Sequence, residues 1–260
     1  MRLFRNGIVV ALLLGPAMHA AAQTDFQWRN PMVAGQTLEI KNVNGDIRAV
    51  ASDSGSAEVV ATKTARRSNP DEVRIEVVPH AGGVTICAVY PSVAGEEPNR
   101  CEPGSETHSR TRDNDTTVRF EVRVPTGVHL VARTVNGGVQ ADSLSGDIEG
   151  HTVNGSVRVS TSGVARASTV NGSLNVTMGR ADWPSGAKFS TVNGGITLHL
   201  PAVVNANLRA SVLNGTIASD FPITVTGDIS RRRVAGVIGN GGQDLNISTV
   251  NGSITLLKAQ

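Results

Sequence analysis

Few side chains in this 260-residue chain are of types and spacings that could perform chemistry. Polysaccharide-cleaving sites need two acids close together on a groove, as acid and base or around a metal. Asp142, Asp147 and Glu149 are the one set dense enough to qualify, and a solvated surface accounts for them equally well. His129, His151 and His199 stand singly, without the H-x-H or H-x-x-x-H spacing of a metal site. Residues 239–246, GNGGQDLN, look like one calcium-binding glycine repeat, but a lone copy lacks the stacked partner such sites need. Trp183, in GRADWPSG, is of a type that stacks on sugar rings or caps a turn. Arg231, Arg232 and Arg233 form the densest basic run, with Arg209 as a candidate neighbour. Such a run suits contact with an anionic polysaccharide or lipid headgroups, or keeps an edge strand from pairing. These residues assign no catalytic, cofactor or metal site.

Whatever positions these groups is built from a repeated phrase. It reads TVNGGV at 134–139, TVNGSV at 152–157, TVNGSL at 169–174, TVNGGI at 191–196 and TVNGSI at 249–254. Looser copies are NVNGDI at 42–47, SLSGDI at 143–148 and VLNGTI at 212–217, which makes eight. Apolar or small residues alternate before each copy, as in Leu245, Ile247 and Thr249, and again after it, as in Val250, Ile254 and Leu256. Alternation is the mark of a strand with one buried face. The parity slips between Thr and Val, so both are expected to point inward across a bend. Val212 fills the Thr slot in one copy, which places that slot in the interior. Asn-Gly supplies the rest of the bend, because both residues enter the left-handed region at low cost.

An isolated Asn-Gly between strands signals a hairpin, and an antiparallel meander is the rival reading. The spacings favour stacking. Asn154, Asn171, Asn193 and Asn214 follow one another at 17, 22 and 21 residues, while Asn136, Ser145 and Asn154 are 9 apart. These are the lengths of one full coil and of one side. The expected fold is all-β, a parallel β-solenoid or β-helix-like repeat with short strands and Asn-Gly corners. Asn44, Asn136, Asn154, Asn171, Asn193, Asn214 and Asn251 are its structural corners, able to hydrogen-bond up and down the stack.

The chain opens with Arg2 and Arg5, an apolar run at 8–14 and small residues Ala20, Ala21 and Ala22. This is the layout of a secretory signal peptide cleaved after Ala22, with a run too short to span a bilayer. No later apolar stretch is long enough either, so the mature chain is expected to be soluble and exported, to the periplasm or cell surface. Its loss leaves 22 basic against 22 acidic residues, so a neutral mature chain gives no global case for nucleic acid. Aromatics make up only 3%, which suits short strands packed on small β-branched side chains. Beyond the signal peptide (1–22), the reading divides the chain into an N-terminal β region (23–130) with a polar insertion at 91–116, and regular repeats (131–260) continuous with it. Cys87 and Cys101, the only cysteines, bracket the start of that insertion. In an exported chain such a pair is a disulfide, and closing 15 residues contributes about 3 kcal/mol in the chain-entropy account. A degraded coil is expected at 234–242, and the last strand, ending near Gln260, is expected to be an open edge that invites self-association.

The segment VPTGVHLVARTVNGGVQADSLSGDIEGHTVNGSV, with the closing VIGNGGQDLNISTVNGSITL, resembles the "putative adhesin" family of bacterial exported β-repeat proteins. The likeness spans 38–257 and is densest after Val124. It implies a β-helix-type parallel solenoid in the cell envelope, and the family motif carries no catalytic residues. The expected function is therefore a non-enzymatic envelope interaction protein that presents a surface to an envelope protein or polysaccharide. The alternative is a carbohydrate-binding or carbohydrate-active protein that uses a lateral groove.

Overall fold

The computed structural model describes residues 26–104, 111, 113–184, 186–225, 230 and 232–259. The signal-peptide segment and Arg231 lie outside the described residues. Strands β1 (Phe26–Pro31), β2 (Thr37–Lys41), β3 (Ile47–Ala51), β4 (Ser56–Thr64), β5 (Arg74–His80), β6 (Gly83–Val89) and β7 (Thr117–Val124) form the first part. The repeat region contributes β8 (His129–Arg133), β9 (Val139–Leu144), β10 (Ile148–His151), β11 (Val157–Thr161), β12 (Ala165–Ser168), β13 (Leu174–Met178), β14 (Ala187–Ser190) and β15 (Ile196–Leu200). The last strands are β16 (Ala206–Asn214), β17 (Ile217–Ser219), β18 (Ile223–Val225), β19 (Arg233–Ile238), β20 (Gln243–Asn251) and β21 (Ile254–Lys258). One short 3₁₀ turn, Pro70–Glu72, is the helical content of the described residues.

The strands form two large, mostly parallel sheets. The first runs β1-β4-β7-β3-β9-β11-β13-β15-β21-β17, the second β18-β19-β16-β20-β14-β12-β10-β8-β2-β6-β5. Antiparallel pairing is confined to the ends of each sheet, at β1 with β4, β4 with β7, β5 with β6, and β19 with β16 and β18. Seven times the chain leaves a second-sheet strand, passes through the phrase and enters a first-sheet strand. Like residues pair in register, Ile148 with Ala165 on one side and Val157 with Leu174 on the other.

The inner faces share one core. First-sheet strands contribute Val157, Val159, Leu174, Val176, Ile196 and Leu198, while the second sheet offers the smaller Ala132, Gly150, Ala165, Ala167 and Ala210. Large on small brings the sheets close at these positions, while Leu130, Ile148, Phe189 and Ile247 of the second sheet and Phe120 of the first fill the rest of the core. A Cβ on Gly150 would come within 2.8 Å of Val157 Cγ1.

At the corner, three columns of polar bonds tie successive layers together. Asn136 Nδ2 donates to Asn44 Oδ1, Asn154 to Asn136, Asn171 to Asn154, Asn193 to Asn171, Asn251 to Asn193 and Asn214 to Asn251, all at 2.7 to 2.8 Å. The buried threonines form the second column: Oγ1 of Thr134, Thr152, Thr169, Thr191 and Thr249 donates to the glycine carbonyl of the layer beneath at 2.8 to 3.0 Å. In the third, Asp46 Oδ1 accepts from Gly138 N, Ser156 Oγ from Ser173 N and Ser253 Oγ from Thr216 N. Asn171→Ala removes two ladder bonds from an exposed position. It is expected to cost about 1 kcal/mol, read as a lower urea midpoint at unchanged slope.

Several expectations need correction. Most phrase valines do not point inward: Val153, Val170, Val192 and Val250 are 36–40 % exposed and Leu213 is 55 %, while Val43 is buried and Val135 is half-buried against the core. The bend turns the chain between Thr and Val, so the Thr ends the inner row and the Val faces out. SLSGDI is not a member of the asparagine column. It lies between β9 and β10, at the opposite corner, where Ser145 Oγ accepts from Gly127 N. The first copy, though distant in sequence from the second, adjoins it in space, since Asn44 pairs directly with Asn136. Residues 234–242 do not form a degraded coil, because β19, which holds 233–238, runs antiparallel to β16. Nor is the final strand an edge: β21 pairs with β15 on one side and β17 on the other. The sheets instead end on β1, β5, β17 and β18.

Candidate functional site

In the second sheet every other residue points away from the core, and register stacks these outward residues into two rows. One row contains Glu39, Val131, Glu149 and Arg166, and continues through Lys188, Asn246 and Arg209. The other contains Lys41, Arg133, His151, Ser168, Ser190, Ser248 and Ser211. The rows fall into a covered part, a middle and an open part.

The covered part is closed by the start of the insertion. Cys87 on β6 is bonded to Cys101, with Cα atoms 5.6 Å apart and 14 residues of separation. The chain beyond Cys101 crosses Glu39 and Lys41, both almost fully buried. Lys41 Nζ lies 3.6 Å from Glu39 Oε1 and donates to Glu102 O at 2.6 Å. Glu39 Oε2 accepts from Thr85 Oγ1 and Gly104 N, and its Oε1 lies 3.4 Å from Arg133 Nε. Burial holds the Lys41 ammonium below its usual range, with the Glu39 carboxylate opposing and the Arg133 charge reinforcing that shift. A buried ion pair persists only where further hydrogen bonds satisfy it, as the cover does here.

The middle holds the arrangement nearest to nucleophilic chemistry. His151 Nδ1 lies 2.8 Å from Ser168 Oγ, and His151 Nε2 lies 3.9 Å from Glu149 Oε2. Arg166 Nη1 and Arg133 Nη2 approach the same carboxylate at 3.6 and 4.0 Å. A serine, a base and an acid in series would suit acyl transfer if an oxyanion donor faced the serine. The neighbouring amide, Thr169 N, is instead committed to Ser190 O. The 3.9 Å gap also exceeds a hydrogen bond.

The His151 imidazole, followed by the Arg166 and Arg133 guanidiniums, holds the Glu149 carboxyl below its usual range against the opposing effect of burial. Its folded pKa therefore lies below the unfolded one. The stability it contributes is fully present above the unfolded value and is lost as pH falls through the folded one. Glu149→Gln is expected to destabilise by under about 1 kcal/mol at pH 7, after solvent screening. The gap between native and variant melting temperatures should close as the pH is lowered from 7 to 3.

The open part lies on β14, β20 and β16, where β19 curls up as a wall. A cavity of about 500 Å³ is lined there by Lys188, Asn246, Ser248, Arg209, Ser211 and Arg233. Arg209 Nη1 pairs with Asp244 Oδ2 at 3.0 Å. Lys188 has no acidic partner among the described residues.

The residues singled out by sequence are distributed as follows. Arg209 and Arg233 line this cavity, Arg232 is exposed nearby, and Arg231 is outside the described residues. The three acids do not gather: Asp142 bonds Gln140 on the first sheet, Asp147 accepts from Val164 N at the far corner, and Glu149 joins the second-sheet row. His129 lies 3.8 Å from Asp147, and His199 is on β15 in the other sheet. Among the described residues no group of three or more metal-ligating side chains occurs. Trp183 is fully buried and offers no ring to a sugar. The seven corner asparagines are exposed or half-exposed and engaged with one another. Sequence reading missed the two rows, although their signal was present. Ser stands immediately before the Thr or Val of the phrase at 168, 190, 211 and 248, with a cation or Asn two residues earlier each time.

No protein-family model matches the sequence, and no curated protein matches it. Among solved structures, one described as a putative cell adhesion protein from Clostridium sporogenes ATCC 15579 aligns at 10% identity. It covers 90% of this chain and 99% of its own, with a TM-score of 0.45. A putative adhesin from Bacteroides fragilis NCTC 9343 aligns at 10% identity over 89% and 96%, with a TM-score of 0.38. A putative adhesin from Parabacteroides merdae ATCC 43184 aligns at 9% over 90% and 96%, with a TM-score of 0.26. Scores this low support no transfer of function.

Proposed function

We propose that this chain is a non-enzymatic, adhesin-like interaction protein of the cell envelope. In this reading it is exported by its signal peptide and built as a parallel β-solenoid, with 23–130 continuous with 131–260. Its role is to hold a rigid face toward an envelope protein or polysaccharide. The observation that carries this is the unbroken corner ladder from Asn44 to Asn214, which fixes outward side chains in straight rows at strand spacing, about 4.8 Å. A face so regular suits a repetitive partner more than a single small molecule. The Cys87–Cys101 disulfide supports an oxidising compartment. Deleting the protein from its host is expected to reduce surface attachment or to remove a co-purifying envelope component. A deletion that changes neither would sink the proposal. The 500 Å³ cavity favours carbohydrate binding as the second reading. In a polysaccharide screen, turnover abolished by Glu149→Gln or Ser168→Ala would overturn the non-enzymatic assignment.

A further inference from the structure

We propose that the open part of the second sheet's outer face binds a linear anionic polysaccharide laid across the strands. This deepens the reading above by naming the ligand class and the side chains that take it. From the covered part to the middle, Glu39 and Glu149 balance the charges of Lys41 and Arg133. Past Glu149 the balance changes. Arg166, Lys188 and Arg209 follow one another along a single row, and the one acid beside them on these strands, Asp244, is engaged by Arg209. Parallel to these cations runs the row of serine hydroxyls, ending at the wall formed by β19.

Cations in one line and neutral hydrogen-bonding groups in the next match a polymer whose repeat carries an acidic group and hydroxyls. Successive strands, about 4.8 Å apart, each present a serine hydroxyl, beside a cation on β12, β14 and β16 and beside Asn246 on β20. Arg166 and Arg209 each have one acid, Glu149 and Asp244, while Lys188 between them has none among the described residues and Arg233 lines the same cavity, so cations outnumber acids here. That excess raises the local potential, which draws a polyanion and makes its binding sensitive to salt. A lipid surface fits less well. Among the described residues this face carries no exposed large apolar side chain to enter a bilayer, because the half-exposed valines stand around the corner, beyond the buried threonines.

The test is affinity electrophoresis and calorimetry of the mature chain with polygalacturonate, with neutral dextran and with phosphatidylglycerol vesicles. Polygalacturonate is expected to retain the native chain, neutral dextran not, and retention should weaken steeply with added salt. Lys188→Gln with Arg209→Gln should weaken binding at least about tenfold, and Ser190→Ala with Ser248→Ala about threefold. Both pairs are at the surface, and unchanged melting temperatures would show that the variants fold. Absence of retention, retention unaffected by the charge pair, or binding to the vesicles without binding to the polymer would each overturn the proposal. A chain that fails here while its deletion still abolishes attachment keeps the scaffold reading and loses only this ligand.

Discussion

Gly155→Ala is expected to destabilise the protein by about 3 kcal/mol or more, one of the larger effects available to a single methyl group. A Cβ at this position would lie 2.0 Å from Gly137 O, 2.5 Å from Gly137 C and 3.0 Å from Gly138 N. All three are backbone atoms of the adjacent layer, so no side chain can swing aside. The intruder must push two layers apart, straining the bonds from Gly155 N to Asn171 O and from Gly137 N to Asn154 O, both 2.9 Å. The same contact recurs along the stack: Gly137 meets Gly45 O, Gly172 meets Gly155 O, Gly194 meets Gly172 O and Gly252 meets Gly194 O. Gly55 is the control, because nothing lies within 4 Å of its Cβ position. Gly55→Ala should stay within about 0.5 kcal/mol of native. Urea titrations of the two variants decide the matter, and equal midpoints would refute the steric account.

Removing the disulfide by Cys87→Ser with Cys101→Ser is expected to cost about 3 kcal/mol, from the entropy of the freed loop. For a chain of this size that lowers the melting temperature by about 6–12 °C. The structural consequence is more specific than the loss of stability. Glu102 O and Gly104 N, which satisfy Lys41 and Glu39, are held in place by the bond at Cys101. Without it the pair should gain water, and Lys41 should become reactive to acetylating reagents that spare it in the native protein. Mass spectrometry of labelled peptides would detect this. Unaltered labelling and an unaltered melting temperature would show that the cover docks without its staple.

The sequence made the stacked arrangement legible because its cause is local and repeated. Thr, Asn and Gly recur together since each bonds to, or is crowded by, its own counterpart one layer away. The reason for the glycine was read only in part, however. Gly45, Gly172, Gly215 and Gly252 do have positive φ, but Gly137, Gly155 and Gly194 do not, so the need shared by the column is for space against a carbonyl. The valine was misassigned because hydrophobicity alone cannot tell the inner from the outer side of a bend. The candidate face was harder to see. Arg166, Lys188 and Arg209 are each one polar residue in an alternating strand, and only register across layers places them in line. The Glu39–Lys41 cover depends on a contact 65 residues away, from Gly104 N to Glu39, that no periodicity announces.

The order of layers in space departs from their order along the chain at both ends. β2 and β3 sit inside β6 and β7, and β20 and β21 sit inside β16 and β17. Assembly therefore cannot proceed as simple winding from one terminus to the other. The segment ending at Lys258 must slot between neighbours already synthesised, in the manner of a keystone. A chain emerging N-terminus first would hold β16 to β19 undocked until β20 and β21 follow. Trimming those last two strands would strand the preceding four instead of shortening the stack by one layer.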